Sequence, residues 1–440
     1  MKKSKVKVHY NIFWFRRDLR LNDNKALFEA LKSEYPVIPI FIFDPHILTE
    51  LPKNDARVSF IFKKVQEIRS MLQKDYNSSL ALFYGNPKEV FKSLIDTYSI
   101  NTVYANQDYE PYAQKRDQEL HNLLKSYKID FKTFKDQVIF EKDEVVKDDG
   151  TPYVVYTPYM KKWKTLFGAT KIKTFDATAH ADNFIKNLRL PQLSISDIGF
   201  TTSIIEVKNY DLSPETLDAY KKTRDFPAQK GTTSLSPHLR FGTIGLRTVV
   251  LHAVKAKNEV FLNELIWREF FMQVLWHFPE TVHNSFKKKY DRIKWRNNEA
   301  EFKKWCEGNT GYPLVDAGMR QLNKTGYMHN RVRMVVASFL CKHLLIDWRW
   351  GEAYFAEKLL DYEMSSNVGN WQWAAGSGVD AAPYFRIFNP TTQIKKFDKD
   401  LKYIKKWVED YDELTYPNPI VDHKEARERC LRVYKKAVAL

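Results

Sequence analysis

Four short stretches of this chain gather residues that could do chemistry. "NELIWREFFMQVLW" (263–276) sets Glu264, Trp267, Arg268 and Phe271 at i, i+3, i+4 and i+7, one face of a helix. A charged pair on an otherwise apolar face demands partners, because burying charge is costly. "GYMHNRVRMVVASFL" (326–340) repeats the oddity: Asn330, Arg331, Arg333 and Met334 lead an otherwise apolar helix. "RDFPAQKGTTSLSPHLRFG" (224–242) puts Thr232, Thr233, Ser234 and Ser236 in a turn before a helix. Hydroxyls and free backbone N–H groups at a helix start suit a phosphate, although the same turn could merely cap the helix. Finally, Trp371 and Trp373 stand beside Asn367, Asn370 and Gln372 in a Gly- and Ala-rich stretch that reads as a turn. Each buried amide left unpaired costs roughly 1–3 kcal/mol, and an indole stacks well on a flat ring. Singly, each stretch reads as interhelical glue. Together they describe a pocket for something flat and polar.

Composition narrows the partners. The chain has 440 residues, enough for two or three domains, and 44% hydrophobic against 28% charged residues argues for a globular fold. No run of about 18 apolar residues offers a transmembrane helix, and "MKKSKVKVHY" lacks the apolar region of a signal peptide. Cys306, Cys341 and Cys430 are isolated, which disfavours a disulfide framework or a zinc site, so no metal is expected and the protein should be cytoplasmic. Seventy Lys and Arg against 54 Asp and Glu leave a formal charge of +16, which fits a polyanion such as nucleic acid or simply solubility. Eleven Trp fit base stacking or a large aromatic core.

Two kinds of element must position these residues. Apolar runs at 11–15, 37–43, 80–84, 101–105 and 129–134 alternate with helical patterns at 24–33, 55–75, 87–98 and 111–127. Such alternation predicts a doubly wound α/β domain on a parallel sheet over 1–134. No G-x-G-x-x-G follows the first strand, where "WFRRDLRLNDN" stands instead, so a standard dinucleotide site is not expected there. Residues 135–209 read as an interdomain connection with a short helix near 157–166. Over 210–440 the pattern becomes all-helical, with helices at 213–223, 243–257, 260–277, 299–306, 313–323, 327–343, 350–360, 398–409 and 422–437.

These segments, in this order, resemble the photolyase/cryptochrome family. "FWFRRDLRLNDNKAL" is similar to its opening strand and loop, and "NELIWREF", "GYPLVDAGMRQLNKTGYMHNR", "ASFLCKHLLIDWRWGE" and "WQWAAGSGVDAAPYFRIFNPTTQ" are long, uncommon strings. The resemblance covers essentially the whole chain. It implies a U-shaped FAD, active as FADH⁻, in the helical domain, and damaged DNA as the partner of a monomer. Tyr220 and the turn of Thr232, Thr233, Ser234, Leu235 and Ser236 would hold its ribityl and phosphate groups. Arg268 and Asn330 would contact the cofactor, and Arg333 would pair with Asp361. Asp361 and Glu363 would bond the adenosine or isoalloxazine side with Tyr362 beside them, while Asn367 would face flavin N5. Trp371, Trp348 and Trp295 map onto the family's electron relay. Trp267 and Trp373 would grip an extruded lesion, Glu264 and Asn330 would hydrogen-bond its thymine carbonyls, and Met334 would lie beneath. Arg224, Arg331 and Arg386 are the candidate DNA phosphate contacts.

The chain departs from the family at three places: Ser234 stands where many relatives have Arg or Lys, Phe261 replaces a frequent Trp, and Glu363 a more usual Asp. Asn367 is the photolyase choice, whereas plant cryptochromes usually carry Asp and insect ones Cys. Asn330 occupies the second of two adjacent His positions of (6-4) photolyases, which need an imidazole acid. No long extension follows the last helix. The chain is therefore most like class I cyclobutane pyrimidine dimer photolyases: photoexcited FADH⁻ would donate an electron to the flipped-out dimer, which splits and returns it. The alternatives are a cryptochrome-like blue-light photoreceptor and, outside the family, a light-independent helical nucleic-acid-binding protein. A second, antenna chromophore is implied for the α/β domain. However, "NQDYEPYAQKRD" (106–117) lacks the Asn–Glu step of folate-binding relatives, so folate, deazaflavin, another flavin or none stay open.

Overall fold

The structure, a computed structural model, describes residues 8–439; the basic N-terminal residues 1–7 and Leu440 lie outside them. The chain divides into two units. The first comprises Met1–Glu141, Ala169–Lys208 and Leu235–His252, and the second Lys142–Gly168, Asn209–Ser234 and Ala253–Leu440.

The first unit is built on a five-stranded sheet of β1 (His9–Phe15), β2 (Val37–Phe43), β3 (Ala81–Tyr84), β4 (Ser99–Asn106) and β5 (Asp130–Phe134), in the order β3-β2-β1-β4-β5. Every pairing is parallel, which requires a crossover between strands. The helices Lys25–Leu31, Ala56–Tyr76, Pro87–Thr97 and Pro111–Ser126 lie in those crossovers. Successive side chains on a strand point to opposite faces. Ile12, Trp14, Ile38, Ile40 and Ile42 accordingly join one core cluster, while Phe13, Phe15, Val37, Phe41 and Phe43 join another. β1 and β2 are buried on both faces, which is why they read as apolar runs, whereas the edge strand β5 is largely exposed. The loop after β1 is closed by ions instead of glycines. Arg20 and Arg247 each reach Asp136 at 2.6 Å, and Arg247 also reaches Asp23 at 2.7 Å. Asp18 accepts from Asn106 Nδ2 at 2.6 Å, and burial raises its carboxyl pKa.

The second unit is helical, and three of its elements differ from expectation. The pattern at 327–343 is not one helix. An α-helix spans Asn330–Ser338, capped by His329 accepting from Arg331 N, and continues as a wider π turn over Phe339–Leu344 that ends at Leu345 with φ +55°. The helix expected at 398–409 is shorter, Lys402–Trp407, with Asp398 accepting from Tyr403 N at 2.9 Å and Ile404 N at 3.0 Å at its start, and a separate helix, Pro390–Phe397, precedes it. The Trp–Gln–Trp segment is not a turn. It lies inside the helix Met364–Ala375, which ends at Gly376 in the left-handed region, φ +91°. Packing overrides the poor propensity of its Gly, Ser and Asn residues. A Cβ at Gly369 would fall 2.3 Å from Phe271 Cδ1. Gln372 is buried with its amide fully used, donating to Thr281 O at 2.8 Å and Asn284 O at 3.0 Å and accepting from Phe286 N at 2.9 Å. Among the described residues no helix is long and apolar enough to cross a membrane.

Candidate cofactor and substrate site

A pocket opens in the helical unit, and its lining draws on Asn330–Ser338, Trp348–Lys358 and Met364–Ala375. The 330–338 helix contributes Asn330, Arg333 and Met334, and the link before the last helix contributes Asp361, Tyr362 and Glu363. Asn367, Asn370, Trp371 and Trp373 follow from the last helix at spacings that keep them on one side. The indole–amide stretch is thus split between two duties. Gln372 ties down the 281–286 loop, while its neighbours line the cavity.

The charges around the cavity are held in pairs. Arg333 Nη2 lies within hydrogen-bond distance of both oxygens of Asp361, at 3.1 and 2.9 Å, while Arg333 Nε donates to Met328 O at 2.7 Å, which holds the guanidinium in place. Arg268, from the helix Val260–His277, reaches Glu363 at 3.1 Å. Asn367 Nδ2 donates to the Glu352 carbonyl at 3.1 Å and to Glu352 Oε1 at 2.8 Å. Burial raises the Glu352 pKa, against the hydrogen bonds from Asn367 and Tyr362. His329, at the head of the 330–338 helix, is pushed down to about 4, first by burial and then by the Arg333 guanidinium. It is neutral at pH 7.

Other predicted residues lie outside that lining. Trp267 stacks on Tyr156 with centroids 3.7 Å apart and planes 9° apart, and also contacts Phe271 at 5.5 Å and 29°. Tyr156 is held there by donating to Asn263 O at 2.8 Å. Glu264 is ion-paired with Arg224, and Arg331 reaches Asp225 at 2.6 Å and the Met334 sulfur at 3.6 Å. Arg386 is exposed, with its guanidinium 5.7 Å from the Phe388 ring. Tyr220 meets Phe261 edge-on at 5.2 Å. Thr232 hydrogen-bonds Tyr327, Thr233 is buried, and Ser234 takes a left-handed φ of +52°. The unit boundary falls within this turn, so Leu235 and Ser236 count with the first unit.

Trp371 and Trp348 are buried, and Trp295 is half-buried, 6.0 Å edge-on from Tyr434. Trp371 is also boxed by Phe355 at 5.0 Å and Trp305 at 6.2 Å. Residues that escaped the sequence reading include Phe355 and Ser366 in the lining, and Glu352, Tyr156 and Trp305 around it. Only the aromatic richness of "YTPYMKKW" hinted at Tyr156. Nothing local marked Glu352 as the partner of Asn367.

Residues 11–178 match the DNA photolyase family, and residues 261–415 match the FAD binding domain of DNA photolyase. A deoxyribodipyrimidine photo-lyase of Agrobacterium fabrum is 38% identical, covering 96% of this chain and 97% of that protein. The deoxyribodipyrimidine photo-lyase of Escherichia coli is 34% identical over 97% of this chain and 98% of its own length. Among solved structures, a bacterial class III photolyase from Agrobacterium tumefaciens is similar with a TM-score of 0.88 at 34% identity, both chains fully covered. An archaeal photolyase from Sulfolobus tokodaii, solved with two FAD molecules, has a TM-score of 0.83 at 34% identity over 97% of this chain and 100% of that one. The chain belongs to the photolyase/cryptochrome family, and it is an enzyme of the DNA photolyase type with an FAD-binding helical region.

Proposed function

We propose that this chain repairs cyclobutane pyrimidine dimers in DNA by light-driven electron transfer from FADH⁻ held in the helical unit. The observation that carries the reading is the cavity. It joins the amides of Asn330 and Asn367, the thioether of Met334 and the indoles of Trp371 and Trp373 to the Arg333–Asp361 pair. That set fits a flat ring with polar edges. When bound and excited, FADH⁻ supplies the electron that splits the dimer and receives it back. Asn367 would meet the N5 edge, while Asp361 and Glu363, held by Arg333 and Arg268, would face the rest of the cofactor. Trp371, Trp348 and Trp295 would carry an electron inward to oxidised flavin.

On the lesion, Asn330 would serve a thymine carbonyl. Glu264 suits a different partner from the one first expected. A carboxylate only accepts hydrogen bonds, so the imide N–H of thymine is its match. Trp267 and Trp373 would stack on the extruded bases. Arg386 already faces solvent, whereas Arg224 and Arg331 would exchange acid partners for DNA phosphates. This reading rests on the lesion-facing residues and not on the narrower class I assignment, since a class III photolyase is also similar. The test is a defined oligonucleotide carrying one thymine dimer, incubated with flavin-reduced protein in light and in darkness. Light-dependent return of the intact thymines is expected. Equal signals in light and dark, or repair of a (6-4) lesion instead, would refute the proposal.

A further inference from the structure

The helix Met364–Ala375 presents three strips of side chains, because residues three and four apart share a side. Val368, Gly369 and Gln372 pack toward Phe271 and Thr281, which closes one strip. Asn367, Trp371 and Ala374 are buried and form the inner wall of the pocket. Ser366, Asn370 and Trp373 line the same pocket but are half-buried or exposed, so they form its mouth. Asn370 is the exposed amide of that third strip. Its Nδ2 donates to Ser366 O at 2.7 Å, back along its own helix, which uses one of two amide protons. The other N–H and the Oδ1 oxygen have no partner among the described residues. A surface amide bonded to its own helix would account for the Ser366 contact, but not for a place in the pocket lining three residues before an indole. The same spacing recurs on the helix Val260–His277, whose Phe271 packs against Gly369: Glu264 stands three residues before Trp267. Each helix thus sets one indole face beside one polar group, and a pyrimidine dimer has two bases.

We propose that Asn370 is a lesion-binding residue: its free Oδ1 and N–H take the imide edge of one thymine of the dimer, while Glu264 takes the imide N–H of the other. The proposal rests on the reading above in which Trp373 stacks on the extruded lesion. A thymine edge carries an N3–H donor beside a carbonyl acceptor. A carboxamide with one acceptor and one donor left matches both, whereas a carboxylate matches only the N–H. In undamaged duplex these edges are already paired with adenine, so Asn370 rewards only a base that has left the helix.

Binding in the dark tests this, with flavin-loaded protein, undamaged DNA, and oligonucleotides carrying one thymine dimer that is unmodified or N3-methylated on its 5′ or its 3′ base. The methyl group removes the imide proton and blocks that edge. Asn370→Ala should weaken binding to the unmodified dimer roughly three- to tenfold, the weight of about one hydrogen bond. Binding to undamaged DNA and the flavin absorbance should stay unchanged, and the helix should hold because Ala favours it. The cost of Asn370→Ala should persist when one base is methylated and vanish when the other is. An unchanged affinity for the dimer would overturn the proposal. So would an equal cost on all three dimers, since Asn370 would then act through the fold, and so would loss of flavin, which would place Asn370 with the inner strip. If the parent protein binds dimer and undamaged DNA alike, the seating of the lesion at Trp373 is what fails.

Discussion

Gly351 offers the sharpest test of how Trp371 is packed. A Cβ built there would lie 2.1 Å from Trp371 Cη2, 2.4 Å from Cζ3 and 2.6 Å from Leu340 Cδ2. Real carbons need more than an ångström of additional separation, and Trp371 has little room to retreat from Phe355 and Trp305. Two effects therefore oppose each other in Gly351→Ala. The methyl favours the helix by about 0.5–1 kcal/mol, and overpacking a filled core costs about 1–3 kcal/mol. The clash should win, for a net loss of roughly 0.5–2 kcal/mol. Gly168 is the control: it is exposed in the helix Tyr156–Ala169, and an added Cβ meets nothing within 4 Å. Gly168→Ala should thus stabilise by up to about 1 kcal/mol. Urea midpoints at matched slope would read both, with flavin loading held equal because a bound ligand adds its own stability. The same substitution should carry opposite signs in the two helices. A Gly351→Ala protein as stable as its parent would show that Trp371 has slack, and the packing argument would fall.

Trp371→Phe should abolish photoreduction of oxidised flavin while leaving repair intact once the flavin is reduced chemically; equal photoreduction rates in mutant and parent would remove Trp371 from the relay. Stability should decline on acidification. His329 is depressed from 6.5 to about 4 in the fold, so its contribution is fully present above pH 6.5 and is lost as pH falls toward 4, amounting to about 2 kcal/mol by about pH 5. His329→Asn keeps an acceptor for the helix cap and should flatten this dependence in urea melts at about pH 7 and 5. Arg386→Ala should weaken binding to damaged and undamaged DNA alike and reduce the salt slope by about one. Trp267→Ala should cost roughly 1–3 kcal/mol for dimer-containing DNA only, and equal losses on both DNAs would return Trp267 to packing against Tyr156.

The alternation of strands and helices was legible because a strand buried on both faces must be apolar throughout, as "VIPIFIF" is, whatever lies against it. Part of the cavity lining was legible for a similar reason. Asn330, Arg333 and Met334 fall within one short window at helical spacing, whereas Asp361, Glu363 and Asn367 were marked by the family resemblance, the first two lying in the link before a helix. What the sequence could not declare is which surfaces meet. The helix Met364–Ala375 carries no usable apolar period, and it forms because Gly369 admits Phe271 and Gln372 binds a distant loop. Glu264 and Arg224, Arg331 and Asp225, and Trp267 and Tyr156 are partners across long sequence separations. Glu352 became visible only once two helices placed it against Asn367. Periodicity is a property of neighbours along the chain. The partner of a buried charge, amide or ring is settled by which helices pack together, and that depends on the whole fold.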